Sequence, residues 1–201
     1  MLAAMNALKA RLAEEAGLTV GEVEVQLFST REEYNLALGT TAPADQVGNV
    51  IDAGHIWMLA PNRGTAAERA DILKGVQVEL TRATLWRVQG LTRWMTDGIA
   101  SYEARLWDSA REQYMRSLVG MRRVAGLRAL DGPAYNYLGG AIAAHTAIDY
   151  LVRTYGVSAL ARLVAAVPTN TLDQAFTSAV GVSFTDFDRA WTAYVLATYG
   201  R

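Results

Sequence analysis

The chain has no cysteine, and it has only two histidines and two lysines among its 201 residues. Without cysteine it can form no disulfide, no thiolate metal site and no thiol nucleophile. No apolar run approaches the roughly 18 residues that a membrane-spanning helix needs, so we expect no membrane association. The net charge of -1 lacks the basic excess typical of nucleic-acid-binding proteins. We therefore expect no nucleic-acid partner.

The composition is that of a globular protein, with 51% hydrophobic and 19% charged residues. This length favours a single domain over residues 1–201 with a substantial core. Residues 1–17 mix Leu and Ala with charged side chains, which is typical of an amphipathic helix rather than a signal peptide. We expect a cytoplasmic protein, although a chain that has lost a leader would look the same. The oligomeric state is not indicated.

The residue pattern predicts an α+β fold, with a small antiparallel or mixed sheet within residues 1–64 and helices over 65–201. Residues Val20 to Phe28 alternate apolar and polar side chains, as in a half-buried strand. A second strand, broken at Gly54, is predicted over 50–59. The signals that end it are Pro61, Asn62 and Gly64.

Helical periodicity and capping residues predict the remaining elements. Thr30 followed by Glu33 has the spacing of a capping box, which indicates a short helix ending at Leu38. The other helices are predicted over 2–16, 65–89, 92–106, 109–124, 134–155, 158–166, 171–179 and 184–199.

Two segments point to a known class of protein. Val78–Arg82 has the sequence Val-Glu-Leu-Thr-Arg, and Arg93–Glu103 has the sequence Arg-Trp-Met-Thr-Asp-Gly-Ile-Ala-Ser-Tyr-Glu. They resemble the gluzincin zinc metallopeptidases, in the small form called peptidase MA-like. There the first helix carries His-Glu-Leu-Thr-His and the next carries Trp-Leu-x-Glu-Gly-x-Ala-x-Tyr. Segments 150–156, 172–175 and 187–191 are similar to the family's C-terminal helices, so the resemblance covers nearly the whole chain.

The resemblance implies a zincin-like fold, but with a degenerate HExxH motif. The family binds zinc through two histidines four residues apart and a third carboxylate, and the intervening Glu is the general base. Here those positions hold Val78, Arg82 and Asp97, and only Glu79 matches. Valine has no lone pair to donate, and arginine stays protonated and repels a cation. We therefore expect no zinc, no other cofactor and no zinc-peptidase activity.

Arg82 suggests what replaces the metal. If the family geometry holds, its guanidinium lies near the former zinc position, with Glu79 on the same helix and Asp97 facing it from the next. We predict that the three form one ion-pair cluster. The alternative is an exposed pair three residues apart on a helix surface.

Three further residues are candidates for the same cleft. The resemblance places a polar residue near His145, which could act as an acid or base with Glu79 or line the cleft, or could lie in the core. Tyr102 follows Asp97 by five residues and His55 lies in a predicted edge strand, so both are candidate ligand contacts. A metal site rebuilt from the two histidines is a further alternative. The other aromatic side chains are predicted to pack between helices.

Three functions fit this sequence. The first is a pseudoenzyme, a metal-independent relative of metallopeptidases that binds a peptide, small molecule or partner in the former active-site cleft. The second is a metal-independent acid–base enzyme using Glu79 with Arg82 or His145. The third is a peptidase whose ligands were deliberately replaced, which we rank last because it needs three substitutions.

Overall fold

The computed structural model describes residues 2–43, 46–60 and 65–200. The predicted α+β class is confirmed, with a small mixed sheet followed by a mainly helical part. The strands are β1 (Glu24–Phe28), β2 (Gly48–Asp52) and β3 (His55–Leu59). The α-helices are α1 (Leu2–Glu15), α2 (Arg31–Leu38), α3 (Ala66–Leu85), α4 (Arg93–Glu103), α5 (Ser109–Gly120), α6 (Gly140–Tyr155), α7 (Val157–Ala166), α8 (Leu172–Val180) and α9 (Phe184–Tyr199).

The sheet has the order β1-β3-β2, with β1 parallel and β2 antiparallel to β3. The prediction of one strand over 50–59 was wrong, because the chain reverses at Gly54. The amide of Gly54 donates to Asp52 Oδ1 (2.7 Å), a side-chain contact that favours a turn. His55 therefore begins the central strand, not an edge strand, and β2 is the edge next to α3. The predicted strand end at 61–64 lies outside the described residues.

β1 is not the half-buried strand that its alternation predicted. Val25 and Leu27 lie beside Ile56 and Met58 of β3, so these side chains share one face of the sheet. Helix α3 packs on β2 and β3 on that face, and Ile56 and Met58 are buried there. Leu27 is nevertheless 57% exposed. The apolar pattern of β1 is real, but the strand lies at the sheet's outer edge.

The helical part is built around the close approach of α4 and α6. A Cβ added at Gly98 would lie 2.6 Å from the Ala144 carbonyl oxygen, so only glycine allows these backbones to approach so closely. Trp94 and Ile99 of α4 and Ile148 of α6 are fully buried. This contact holds α4 rigidly at the edge of the candidate site.

Helix α6 begins six residues later than the predicted start at 134. Residues 133–139 form turns, and Gly139 has a φ of 63°, which ends any helical path from the preceding residues. The pair Gly139-Gly140 was the sequence signal for this start. Tyr135 consequently leaves the helix and contacts α4. The capping boxes at Thr30 and Thr171 are confirmed.

Among the described residues, no single helix is long and apolar enough to cross a membrane. The pair of α6 with residues 157–169 passes a test of combined length and composition, but it bends by 115° at the break.

Candidate functional site

A groove is lined by residues of strand β2, of helices α3 and α4, and of the start of α6. It comprises two adjoining cavities of about 1160 Å³ and 510 Å³. Residues that line both cavities are Asn49, Glu79, Arg82, Arg93 and Asp97. The helix carrying Glu79 and the helix carrying Asp97 therefore face the same space.

The predicted ion-pair cluster is confirmed. Arg82 Nη1 donates to Glu79 Oε1 at 2.7 Å, and its Nε and Nη2 lie 2.9 Å and 2.8 Å from Asp97 Oδ1. The side chains of Glu79 and Asp97 are only 7% and 13% exposed, against 32% for Arg82. The alternative of a solvated surface pair is wrong. Arg82 supplies the positive charge that two largely buried carboxylates require.

Tyr135 and Arg93 complete the contacts of Asp97. The Tyr135 hydroxyl donates to Asp97 Oδ2 at 2.5 Å, and Arg93 Nε lies 3.8 Å from the same oxygen. The Arg93 guanidinium also lies over the Tyr135 ring, 3.7 Å from its centroid. Burial, followed by the negative charge of Asp97, raises the pKa of Tyr135, so the phenol stays a proton donor to Asp97.

The side chain of Glu79 packs closely against strand β2. A Cβ added at Gly48 would lie 2.7 Å from Glu79 Cγ and 2.5 Å from Met58 Sδ, so the carboxylate stem fits only beside a glycine. Burial raises the pKa of Glu79, although the charge of Arg82 and its hydrogen bond oppose that rise. The groove floor therefore holds a carboxyl group that binds a proton more readily than an exposed one.

The free edge of β2 borders this floor. The Leu59 amide donates to the Val47 carbonyl (2.8 Å). Because hydrogen-bonded and non-hydrogen-bonded residues alternate along an antiparallel ladder, Gly48 and Val50 direct their backbone groups away from β3. The Gln46 side chain donates to the outward Gly48 carbonyl at 3.3 Å. Gly48 is buried and its carbonyl already accepts this bond, so an extended ligand would pair with β2 first through the backbone of Val50.

The residues present do not fit a catalytic zinc ion. Val78 belongs to an apolar cluster with Ala100 and Ala104, and Arg82 occupies the space between the two carboxylates. In the described part of the chain, no three His, Asp or Glu side chains are grouped so that they could hold a metal. The alternative of a metal site rebuilt from the two histidines is therefore wrong.

His145 does not line the groove, and its predicted role beside Glu79 was wrong. Its ring is buried, stacks on Trp107 with centroids 5.0 Å apart, and its Nδ1 lies 3.1 Å from Ser101 Oγ. Burial lowers the pKa of His145 to about 4, so the ring is neutral at physiological pH. The core placement, one of the three alternatives, describes it correctly.

Tyr102 and His55 also lie outside the groove lining. The Tyr102 ring is half-buried and has the Arg105 guanidinium 5.1 Å from its centroid, on the side of α4 that faces Glu15. His55 is exposed at the β2–β3 turn, where its Nδ1 lies 2.9 Å from Asp52. Five residues along α4 rotate Tyr102 by roughly 140° from Asp97, and the turn at Gly54 places His55 at the end of the hairpin.

Three groove residues received no site role from the sequence. Arg93 is part of the segment that resembles the gluzincin motif but was given no role. Trp86 and Tyr135 were predicted only to pack between helices. Trp86 is 60% exposed and lines the smaller cavity. Helix α3 ends at Leu85, four residues before the predicted end, which places Trp86 at its C-terminal cap. A tryptophan four residues before the break at Gly90 was the available signal.

Comparisons with family models, with characterised proteins and with solved structures find no match to this chain. The gluzincin resemblance, the absence of cofactors and the location in the cell therefore stay predictions.

Proposed function

We propose that this protein is a metal-free, peptidase-inactive relative of the gluzincins that binds an extended peptide segment in the groove beside β2. The observation that carries the proposal is the placement of Arg82, which bridges Glu79 and Asp97 in the groove floor. The fixed guanidinium of Arg82 compensates the charge of both carboxylates, so they need no metal ion.

The surroundings of this floor support peptide binding. The outward backbone groups of Val50, and those of Gly48 once a ligand displaces the Gln46 side chain, can add a strand, and the groove is large enough for several residues. Groove-lining side chains of both charges can contact a peptide, including Lys74 and Arg111 with Asp71 and Asp108.

The experiment combines metal analysis with peptide titration. Protein purified from zinc-supplemented medium should contain no stoichiometric zinc. The uncharged tetrapeptide amide acetyl-Ala-Ala-Val-Phe-NH₂ should shift the amide resonances of Gly48 and Val50 and the indole resonance of Trp86. The same peptide methylated at alternate backbone nitrogens should bind at least about tenfold more weakly, because it cannot pair with β2. Tightly held zinc, or shifts confined to other surfaces, would contradict the proposal.

A second candidate is supported by one observation: Glu79 is a buried carboxyl group with a raised pKa that faces the groove. Such a group can serve as a general base, with Arg82 stabilising developing negative charge. The version that used His145 is not retained, because that ring is buried elsewhere. Turnover of a substrate that is lost in Glu79→Gln, with binding retained, would favour this enzyme over the binding protein.

A further inference from the structure

Arg93 is the most exposed of the three arginines that line the larger cavity. Its side chain is 52% exposed, and Asp97, at 3.8 Å, is its ion-pair partner among the described residues. The Tyr135 ring supports the flat face of the guanidinium, so the orientation of the group is fixed while its N–H edge remains free. A planar, pre-oriented fork of this kind matches a carboxylate in a bidentate contact.

The ion pair that Arg93 makes with Asp97 is long and shared. Arg82 and Arg93 together contribute two permanent positive charges, and Asp97 lies within ion-pair distance of both. Glu79 pairs with Arg82, and Asp97 is shared among Arg82, the Tyr135 hydroxyl and, at 3.8 Å, Arg93. A ligand carboxylate in a bidentate contact would therefore form a closer ion pair with Arg93 than Asp97 does.

The cavity next to Arg93 has an apolar wall. Val50, Leu91 and the exposed Trp86 line the same 510 Å³ space as Arg93. This volume lies within the range of small-ligand sites and accommodates a large apolar side chain. A cationic anchor and an apolar surface in one cavity of that size fit the carboxylate and the side chain of a single C-terminal residue.

We propose that the groove recognises the C-terminal residue of its peptide, with the free carboxylate on Arg93 and an apolar side chain against Trp86. This inference rests on the proposed function and names its ligand class. The rest of the peptide extends along β2 over the Glu79–Arg82–Asp97 floor.

The test compares two peptides that differ only at the C-terminus. Acetyl-Ala-Ala-Val-Phe with a free carboxylate and its amide are titrated into the intact protein, and dissociation constants are taken from the shifts of the Trp86 indole and the β2 amides. The acid should bind about tenfold more tightly than the amide, as a charge-assisted contact provides. Equal affinities would overturn this inference and leave the peptide-binding groove standing. Absence of binding by either peptide would overturn both.

Two variants separate the anchor from the apolar wall. Arg93→Gln should bind acid and amide equally, at the amide affinity of the wild type, and Arg93→Lys should restore part of the difference. Trp86→Ala should weaken both peptides by a similar factor. Arg153→Gln, an exposed arginine on α6, is the matched control and should keep the tenfold preference. An acid preference that survives in Arg93→Gln would overturn the assignment.

A third peptide tests where the carboxylate comes from. Acetyl-Ala-Ala-Glu-Phe-NH₂ carries a side-chain carboxylate beside the same apolar residue but has no free C-terminus. It should bind like the uncharged amide. Binding as tight as that of the free acid would overturn the C-terminal assignment.

Discussion

Arg82 interacts with two carboxylates that are far less exposed than Arg82 itself. Replacing it with methionine keeps most of the side-chain volume but leaves Glu79 and Asp97 without their shared cation. We expect Arg82→Met to lower the free energy of unfolding by roughly 1–3 kcal/mol, a range reduced for the partial exposure of Arg82. Urea unfolding followed by circular dichroism measures this loss.

The loss in Arg82→Met should depend on pH with a defined sign. Burial already raises the pKa of Glu79 and Arg82 opposes that rise, so removing Arg82 raises the pKa further. The folded variant then prefers the protonated carboxyl, and its instability should be small in acid and grow as pH rises above 4.5. Arg153→Met breaks an exposed pair with Asp149 and should cost at most about 0.5 kcal/mol. Equal losses in the two variants would contradict the buried cluster.

Glu103 provides a second test at the residue scale. Its side chain is fully buried in α4, and its carboxylate oxygens accept no hydrogen bond from the described residues. Arg11 of α1 lies 3.5 Å from Oε2, and Glu15, Arg105 and Tyr102 lie nearby. Burial, with a smaller contribution from Glu15, raises the pKa of Glu103 from 4.5 to about 7.

The folded state therefore binds the Glu103 proton more tightly than the unfolded state does. The resulting stabilisation is fully present below pH 4.5 and is lost as the pH rises through about 7. We expect this group to lower stability by on the order of 3 kcal/mol between pH 5 and pH 8. Glu103→Gln should flatten that slope, whereas Glu112→Gln, at an exposed ion pair, should keep it. A wild-type slope retained in Glu103→Gln would exclude this assignment.

At the scale of elements, β1 is an edge strand of the sheet that the described residues form. Its outer backbone groups face away from β3, and Leu27 adds exposed apolar surface, a combination that promotes edge-to-edge association. We expect Leu27→Lys to reduce aggregation on heating, measured by light scattering, with a change in unfolding free energy within about 0.5 kcal/mol. Leu36→Lys changes an even more exposed leucine on α2, away from the sheet edge. If both variants suppress aggregation equally, the strand edge is not the cause.

The errors in the element predictions have two physical causes. Periodicity gave the type of each element and the existence of most helices, because apolar spacing reflects which side of an element packs. Periodicity could not distinguish a hairpin at Gly54 from a single interrupted strand. It also could not show that β1 lies at the edge of the sheet with both of its faces exposed. Both features depend on residues that are distant in the sequence. The start of α6 was predicted too early because residues 134–139, which form turns, were assigned to the helix despite Gly139.

The site was predictable where residues lie on one helix and unpredictable where tertiary packing decides. Glu79 and Arg82 are three residues apart in α3, so their contact followed from helical spacing. Asp97 followed from the resemblance. Arg93 and Tyr135 meet only because residues 133–139 fold back against α4, and no spacing in the sequence encodes that contact.

At the scale of the whole molecule, the gluzincin resemblance predicts a particular arrangement of a sheet edge and two helices around one point. Val78 and Arg82 both line the groove from one side of α3, and Asp97 reaches Arg82 from α4 at 2.8 Å. A zincin arrangement requires two side chains on one helix and a carboxylate on the next to converge on one point. The proposed ancestry can therefore be tested by restoring the missing ligands.

We expect Val78→His/Arg82→His to bind about one zinc ion per chain, with Asp97 as the third ligand and an open fourth position. Zinc should raise the melting temperature of this variant and leave that of the wild type unchanged, because only the variant binds metal in the folded state. Isothermal titration and metal analysis provide the stoichiometry. Adding Asp97→Asn removes the third ligand from the same background and should greatly weaken zinc binding. A folded double variant that binds no zinc, or binds it equally well without Asp97, would mean that α3 and α4 do not have the zincin arrangement.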